Sequence, residues 1–591
     1  MTMLNVEQIN SKISFIDQYL ATKNAADGSK VDANANVTQA NVATMEHELF
    51  KDYMIDVNRG MMHREIEKLF GRELADEYIR QLKSHEIYTH DETSLKPYCT
   101  SITMYPFLLD GLTKLGGESR APEHLESFCG SFVNLIFAIS SQFAGAVASV
   151  EFLMYFDHFA AKDYGDNYLE THAETIANHL QHVVYAINQP AASRGYQSVF
   201  WNISLYDKFY FESMFGNFVF PDFTSPNWER YAILQEYFMT WFNAERLKAV
   251  LTFPVVTAAM LTDGEQARDR EFALMCAKQL SEGNSFFIYQ SPSADSLASC
   301  CRLRNEISDN SFSYSLGAGG VSTGSINVIT VNMNRLIQDG RDLEQEIEKV
   351  QKYQVAYHSI IKRMYDAGKL PAYSAGFISL DKQFLTIGLN GLVEAAESIG
   401  IKADNNPEYK AFLQGILKVI FDKNKEAHKK YGFRFNTEFV PAENLGVKNS
   451  AWDKKDGYKV SRDCYNSYFY PVEENMISAL DKMVLHGTEQ LQYLDGGSAL
   501  HLNLEEHLTT EAYLKLIDVA AKIGCNYWCV NVKVTICNEC GHMDKHTRHA
   551  CAKCGSTNVD YATRIIGYLK RVSHFGAGRR IEHAKRAYTI C

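Results

Sequence analysis

The sequence contains no run of 18 or more apolar residues, which is about the length that a membrane-spanning helix requires. It also has no recognisable signal peptide and no linker rich in proline and serine. Only 13 of its 591 residues are cysteine, and they are scattered along the chain. This pattern predicts a reducing, cytoplasmic environment, in which thiols bind metals or carry out redox chemistry instead of forming disulfides.

The chain also has no excess of positive charge, because its formal net charge is −12. This argues against nonspecific binding to nucleic acid, although it leaves room for a local basic pocket that accepts a phosphorylated substrate. Hydrophobic residues make up 46% of the chain and charged residues 22%, as in an ordinary enzyme with a large core. A run rich in glycine and serine at 315–324 matches no P-loop, and it is either a plain flexible loop or a source of backbone N–H donors for phosphates.

The chain divides by pattern into three stretches. Residues 1–45 are polar, and we expect partial mobility there. Residues 46–90 have a charged, helical pattern that ends at His90-Asp91. From 97 to 530, short apolar segments alternate with long periodic ones, and this alternation indicates an α/β barrel or sheet.

Four segments carry that prediction. The apolar stretches at 252–256 and 326–331 predict buried strands, because they are short and rich in β-branched residues. The periodic stretches at 342–366 and 407–430 predict helices with one buried face.

Two CxxC pairs near the end of the chain provide four thiolates, which is the ligand set of a tetrahedral structural zinc site. The four residues are Cys537, Cys540, Cys551 and Cys554. A glycine follows each pair, and glycine allows the backbone to turn tightly around a metal. We interpret the histidines between the pairs as surface residues: His542, His546 and His549.

Gly567 follows the last of these cysteines by thirteen residues and stands between bulky apolar residues. Glycine at such a position costs backbone entropy and contributes no packing. A requirement other than packing must therefore explain it.

Three further cysteines are candidates for chemistry. Cys300 and Cys301 are adjacent, and alone such a pair is more typical of a buried core. The neighbouring Arg302 and Arg304 would favour a thiolate or an anionic ligand. Cys99 lies in a predicted strand that begins after Pro97, where a lone cysteine is usually a core residue.

The order of these motifs resembles that of the large component of the anaerobic (class III) ribonucleoside-triphosphate reductases, especially the phage-type members of this glycyl radical enzyme family. The matching motifs run from about residue 88 to 570. In chain order they are His90-Asp91, Cys99, Cys301-Arg302, Tyr493-x2-Gly496-Gly497-Ser498-x2-His501, the four-cysteine knuckle and Arg564-x2-Gly567-Tyr568. The Arg564-x2-Gly567-Tyr568 motif departs from the usual family sequence at Ile565-Ile566.

The resemblance implies an α/β fold built on a ten-stranded α/β barrel, with a central finger loop that carries Cys301 at its tip. The implied domains are an N-terminal helical region without a full ATP cone (1–89), the barrel catalytic domain (90–530), the zinc knuckle (531–558), and the glycyl radical loop with the C-terminal tail (559–591). Without the cone, control of overall activity by ATP and dATP is not expected.

The resemblance also implies the chemistry, which is reduction of ribonucleoside triphosphates to 2′-deoxyribonucleoside triphosphates for DNA synthesis. Gly567 would store a stable radical, and Cys301 would become the transient thiyl radical that takes hydrogen from C3′ of the ribose. Cys99 would donate a hydrogen and a proton as the 2′-hydroxyl leaves as water, with formate as the final reductant. Asn202 is a candidate to orient substrate or formate; the alternative is a strand asparagine bonded to the backbone.

Cofactors and partners follow from the same resemblance. Zinc would be structural and would position the radical loop. The chain has no CxxxCxxC motif, so the iron–sulfur cluster and S-adenosylmethionine would belong to a separate activating enzyme. The basic tail around Lys570-Arg571 and Arg579-Arg580 is either a docking aid or a solvated helix face. The resemblance also implies dNTP and ATP effectors and a homodimer. It implies location in the host cytoplasm if the protein is phage-encoded, and no nucleic-acid or membrane partner.

Two other function classes compete. The first is another glycyl radical enzyme, such as a formate-lyase-like acyltransferase, and only the Cys300-Cys301 pair supports it. The second is a non-enzymatic zinc-ribbon protein that binds nucleic acid or protein partners. The acidic balance and the lack of interleaved basic and aromatic residues near the knuckle argue against it. Cys591 is interpreted as a solvent-exposed residue rather than a redox relay.

Overall fold

The structure is a computed structural model of the chain, and it describes residues 4–25, 27, 39–191, 195–294, 296–299, 303–306, 322–439, 444–564 and 567–589. Within them the helices are α1 Val6–Leu20, α2 Val42–Leu49, α3 Lys51–Phe70, α4 Arg72–Lys83, α5 Tyr105–Asp110, α6 Leu125–Ser140, α7 Phe152–Tyr164, α8 Tyr168–Thr171, α9 Ala173–Ile187, α10 Lys208–Phe215, α11 Trp228–Glu245, α12 Arg270–Ser281, α13 Met333–Gln338, α14 Leu343–Asp366, α15 Pro371–Ser374, α16 Leu392–Ser398, α17 Pro407–Tyr431, α18 Leu445–Lys455, α19 Ala479–Leu485, α20 Thr488–Leu491, α21 Thr510–Ile523 and α22 Ala577–Lys585. The strands are β1 Ile87–Thr89, β2 Cys99–Ser101, β3 Val147–Ala148, β4 Trp201–Tyr206, β5 Val255–Leu261, β6 Phe287–Ser291, β7 Ser296–Ser299, β8 Leu303–Glu306, β9 Thr323–Asn332, β10 Gln383–Asn390, β11 Arg434–Glu438, β12 Leu500–Asn503, β13 Tyr527–Asn531, β14 Val534–Cys537, β15 Met543–Asp544, β16 Val559–Arg564 and β17 Leu569–Arg571.

Ten strands form the central sheet in the order β11-β10-β9-β2-β3-β4-β5-β6-β13-β12, and β1 pairs with β9 outside this path. Strands β2 to β6 are parallel to one another, as are β9 to β11 and β12 with β13. The pairs β2–β9 and β6–β13 are antiparallel, so two five-stranded halves run in opposite directions.

The two ends of this order meet and close a barrel. A parallel bridge joins Glu438, at the end of β11, to Gly497, which precedes β12. Beside it, the Gly496 amide donates to the Thr437 carbonyl at 2.8 Å. A β-carbon on Gly496 would lie 2.5 Å from that carbonyl oxygen, so only glycine allows the approach. The predicted ten-stranded α/β barrel is confirmed, and the Gly496-Gly497 motif closes it.

Side chains along each barrel strand alternate between the inner and the outer face of the sheet. Helices surround the barrel because its outer face must be covered. The Trp201 ring on β4 packs against Phe132 of α6 and Phe152 of α7. On the opposite half, α14 packs against β9 and β10. No helix in the described ranges combines the length and apolarity that a membrane crossing needs.

Strands β7 and β8 form an antiparallel hairpin between β6 and β9. The backbone of β7 lies against β4, β5 and β6. This hairpin occupies the place in the chain that was predicted for the finger loop. Its tip, Cys300, Cys301 and Arg302, and most of the glycine-rich run that follows lie outside the described residues.

Most predicted elements match the structure. Helices α14 and α17 and strand β9 lie within a residue or two of the predicted bounds, or extend beyond them. The strand predicted at 252–256 is misplaced, since β5 begins at Val255. Pro254 has no N–H to donate to a ladder, so pairing starts after it. The polar N-terminal stretch contains a regular helix, α1, which a capping box between Asn5 and Gln8 starts.

The C-terminal region forms its own four-stranded antiparallel sheet in the order β15-β14-β16-β17. Its apolar cluster is small, with four buried members: Ile536, Met543, Ala562 and Leu569. A sheet with so few buried side chains needs another source of stability.

Candidate active site

The four predicted zinc ligands converge at one end of the C-terminal sheet. The sulfur atoms of Cys537, Cys540, Cys551 and Cys554 all lie within 4.8 Å of one another. The pairs Cys537–Cys554 and Cys540–Cys551 are 3.6 and 3.7 Å apart. Tetrahedral zinc with bonds of about 2.3 Å requires sulfur separations of about 3.8 Å, so the thiolates fit this metal.

The backbone around the knuckle also suits a metal. Gly541 and Gly555 have φ of +71° and +74°, the left-handed conformation for which glycine was expected. The Cys540 amide points at the Cys537 sulfur, 3.4 Å away, and the Lys553 amide points at the Cys551 sulfur, 3.3 Å away. Such N–H donors stabilise negative charge on metal-bound thiolates.

Gly567 lies in the turn of the hairpin that β16 and β17 form, in which Arg564 pairs with Leu569. Gly567 is buried, and so is Tyr568. The Tyr568 ring packs edge-on against Phe200, with centroids 5.2 Å apart, and against Phe253 at 5.7 Å. Because these two phenylalanines precede β4 and β5, the turn lies at the N-terminal ends of those barrel strands.

Arg564 anchors the same turn to the next strand. Its Nε donates to Ser285 Oγ at 3.1 Å, and its guanidinium lies 4.7 Å from the centre of the Phe287 ring at the start of β6. Its Nη1 donates to the carbonyl of Gly567. The glycine turn therefore spans the ends of β4, β5 and β6.

Cys99 and Asn202 share the inner face of the barrel. The register aligns Thr100 with Val147 and Trp201, a row that faces the helices because Trp201 does. The next row, with Ser101 and Asn202, therefore faces inward, and Cys99 joins it because it is two residues before Ser101. Two strand spacings, about 10 Å, separate the row positions on β2 and β4.

Two close backbone approaches hold Cys99 in place. A β-carbon on Gly324 of β9 would lie 2.1 Å from the Cys99 carbonyl oxygen, so this antiparallel contact needs glycine. The same carbonyl accepts from Gln383 Nε2 at 3.4 Å, and Tyr373 donates to the Gln383 amide oxygen. The thiol is buried, with 7% of the residue exposed.

Several buried polar atoms of the barrel strands have no hydrogen-bond partner among the described residues, which is costly unless a ligand or water satisfies them. The Asn202 side chain donates weakly to the Phe200 carbonyl, at 3.4 Å, but its oxygen is unpartnered. The other strand residues with such atoms include Ser101, Ser204, Asn327 and Asn436. Sequence reasoning missed Asn327 and Asn436; for Asn327 the available signal was a polar residue inside the apolar segment 326–331, whereas β11 around Asn436 is mostly polar.

Glu151 is a buried acid at the end of β3. One carboxylate oxygen accepts from the Met104 amide at 2.8 Å. Burial raises the pKa of Glu151 from 4.5 to about 7. Between these pH values Glu151 is ionised in the unfolded chain but protonated in the folded chain, so the free energy of unfolding falls as pH rises. Above pH 7 the full loss is about 3 kcal/mol.

The basic C-terminal tail is not a solvated helix face, which corrects that interpretation. Arg579 and Arg586 are buried on either side of Glu582, with closest contacts of 3.3 and 2.7 Å. Lys570 is also buried, with 2% of the residue exposed. Of the four tail residues named for docking, Arg571 and Arg580 retain substantial side-chain exposure, at 32% and 42%.

Comparison with known proteins agrees with this geometry. Residues 47–588 match the family described as anaerobic ribonucleoside-triphosphate reductase. A solved anaerobic ribonucleotide reductase superposes with a TM-score of 0.86 at 26% identity, covering 99% of this chain and 93% of that one. The search of curated proteins gave no significant match.

Two solved relatives come from Thermotoga maritima. The anaerobic ribonucleotide reductase with dATP bound in the specificity site has a TM-score of 0.83 and 27% identity, over 96% of this chain and 94% of that one. The same enzyme in complex with dATP and CTP has a TM-score of 0.83 and 26% identity, over 98% and 100%.

The fold and the matched family define this chain as an oxidoreductase that acts on ribonucleotides. It belongs to the anaerobic ribonucleoside-triphosphate reductases, and this membership decides against the acyltransferase and zinc-ribbon alternatives.

Proposed function

We propose that this chain reduces ribonucleoside triphosphates with a radical stored on Gly567 and relayed through Cys301. The observation that carries the proposal is the buried glycine turn at the barrel strands' ends, beneath the inner face that carries Cys99 and Asn202. The domain boundaries at 89, 530 and 558 remain part of this proposal.

Gly567 suits an α-carbon radical for a physical reason. Glycine has no side chain to twist the radical out of plane, so the adjacent amide and carbonyl delocalise the spin. The surrounding Tyr568, Phe200 and Phe253 rings exclude water and oxygen from the turn. This requirement explains a glycine at a position where packing alone would favour a larger residue.

The hydrogen transfers balance as follows. The Gly567 radical takes a hydrogen atom from the Cys301 thiol, which leaves a thiyl radical and an ordinary glycine. The thiyl takes the C3′ hydrogen of the ribose and returns a hydrogen atom at the end of the cycle. Sulfur suits this exchange, since the S–H and C–H bonds are similar in strength.

Cys99 donates a hydrogen atom while the 2′-hydroxyl leaves as water, and the thiyl radical that remains on Cys99 takes a hydrogen atom back from formate. The net reaction converts one ribonucleoside triphosphate, one formate and one proton into the 2′-deoxyribonucleoside triphosphate, carbon dioxide and water. Formate supplies two electrons and one hydrogen in this balance. The unpartnered oxygen of Asn202 supports a role in orienting substrate or formate, because a bound ligand donor would satisfy it.

The zinc ligands would hold a structural metal. Bound zinc would supply folding energy to the small C-terminal sheet. Strand β14 ends at Cys537 and pairs with β16, which leads into the glycine turn. The knuckle thus supports the backbone that positions Gly567.

The proposed partners are an activating enzyme, nucleotide effectors and a second copy of the chain. The radical needs an external generator with an iron–sulfur cluster and S-adenosylmethionine. The relatives from Thermotoga maritima bind dATP and CTP, which supports effector control by dNTP and ATP here. A homodimer would provide the interface for such effectors, and the host cytoplasm is the proposed location if the chain is phage-encoded.

Anaerobic electron paramagnetic resonance of the activated chain tests the radical. We expect a doublet from one α-hydrogen, which collapses when glycine is deuterated at the α-carbon. Gly567→Ala should fold, bind nucleotide and give no signal. A doublet that survives in Gly567→Ala would place the radical elsewhere.

Turnover with formate labelled at carbon tests the reductant. We expect labelled carbon dioxide in equal amounts to the deoxynucleotide, and no product without formate. Cys99→Ser should keep the glycyl signal and lose product. Product formation by Cys99→Ser would refute the role of Cys99. Product formation with a dithiol and without formate would refute formate as the reductant.

A further inference from the structure

Arg564 contacts the radical residue itself, although the motif alone assigns it no role. Its Nη1 donates to the Gly567 carbonyl, and its Nε is held by Ser285 Oγ at 3.1 Å. Its own carbonyl accepts from Arg586 Nη1 at 2.7 Å, and Arg586 is paired with Glu582. Both the side chain and the backbone of Arg564 are therefore fixed.

This guanidinium is buried in an unusual setting. Only 1% of Arg564 is exposed, and within the described part of the chain no carboxylate pairs with it. Among the residues that the structure describes, its Nη2 has no hydrogen-bond partner. A second buried cation, Arg246, donates to the Ser285 carbonyl at 2.6 Å. Burial, and then repulsion from Arg564, lowers the pKa of Arg246.

Burying a cation without a counter-ion is costly, so a purely structural role would favour a neutral residue here. An apolar residue of similar volume against Phe287 would pack without that cost. The charge must therefore act on something that it touches, and the Gly567 carbonyl is the group that receives a charge-assisted hydrogen bond.

We propose that Arg564 is a positioning residue that holds the Gly567 carbonyl in the plane of the amide on the other side of the α-carbon and draws spin density onto that carbonyl. This inference depends on the proposed radical at Gly567. A glycyl radical is stabilised by an electron-donating amide on one side and an electron-accepting carbonyl on the other. A cation bonded to the carbonyl oxygen strengthens the accepting side, and the fixed guanidinium keeps the two groups in one plane.

The test uses the full zinc-loaded chain with Arg564→Met and Arg564→Lys, activated anaerobically. Losing a charge-assisted hydrogen bond should lower the radical yield by about tenfold to a hundredfold in Arg564→Met. The residual doublet should show a larger α-hydrogen splitting, because spin withdraws from the carbonyl onto the α-carbon. Chain labelled with carbon-13 at the glycine carbonyl should show a smaller carbonyl coupling. Arg564→Lys, which keeps the charge, should restore part of both.

The control is Arg548→Met, which removes a half-exposed arginine from the same C-terminal region and leaves the turn untouched. It should match the wild type. Wild-type radical yield and wild-type splitting in both Arg564 variants would overturn the inference. The proposed function would still stand, because the unmutated chain would still give its doublet. If hydrogen exchange shows that the hairpin unfolds in Arg564→Met, the neutral variant Arg564→Gln takes its place, and unchanged splitting in that folded variant would overturn the inference.

Discussion

Removal of zinc from the knuckle should abolish the radical while the barrel stays folded. The perturbation is Cys540→Ser, or a chelator applied to the intact chain. Cys540 is an exposed member of the cluster, so its replacement by serine removes a ligand with little change in packing. The strands at risk are β14 to β17, which lead into and out of the Gly567 turn.

The magnitude follows from the size of the local core. Three large apolar side chains are buried there, and at about 1.5–3 kcal/mol each they contribute roughly 5–9 kcal/mol. Structural zinc contributes about 10–16 kcal/mol in small peptides. A bound zinc would therefore stabilise the sheet more than the apolar cluster does, and the cluster alone is not expected to hold the sheet. The barrel has a separate and far larger core and should not depend on the metal.

Hydrogen exchange read by mass spectrometry provides the assay, together with metal content and radical yield. Zinc-free chain should lose protection across 534–571 and keep it in the barrel strands, with the doublet lost. Lys418→Ala, which removes a surface ion pair on α17, is the matched control and should leave zinc and radical unchanged. Full radical yield without zinc, or simultaneous loss of protection in knuckle and barrel, would refute the reasoning.

Three other outcomes are expected. Brief exposure of the activated chain to air should cleave it at Gly567 and release a peptide that begins near Tyr568, and an intact mass would contradict a radical there. Gly496→Ala should destabilise the barrel closure by about 1–3 kcal/mol or more, because its β-carbon would lie 2.5 Å from a carbonyl oxygen. Gly415→Ala, whose β-carbon would meet no atom within 4 Å on a helix, should be neutral or stabilising, and equal thermal midpoints for the two variants would refute the closure role. Glu151→Gln should raise stability by about 3 kcal/mol at pH 8 and leave it nearly unchanged near pH 4.5, because the amide mimics the neutral acid. Parallel profiles of midpoint against pH for wild type and variant would show that Glu151 is not buried as an acid.

The local parts of the fold were predictable because their signals are local. Helix α17 begins at Pro407 after the capping residue Asn406 and ends at Tyr431, where Gly432, with φ of +75°, caps it. These are residue types that start and stop a helix on their own. The strand near 252 was placed three residues early, because hydrophobicity alone does not account for the missing donor of Pro254.

The candidate site divides in the same way. Spacing alone identified the four zinc ligands, and the structure brings their sulfurs together. Asn202 and Cys99 were nominated by resemblance, but their shared inner face depends on the register between β2, β3 and β4. Asn327 was missed because its only signal, one polar residue inside an apolar segment, does not reveal that the amide oxygen lies buried without a described partner. The basic tail was misread because charge patterning does not reveal that Glu582 lies between Arg579 and Arg586.

What the sequence alone determined is which residue types stand at telling positions: four cysteines at metal-ligand spacing and a glycine where a bulky residue is expected. What only the tertiary structure decided is which of these groups meet. Arg564 reaches Ser285 across 279 positions of the chain, and Gly496 closes the barrel against Thr437. Such contacts come from strand register and the cooperative packing of a closed sheet, which no local stretch of sequence encodes by itself.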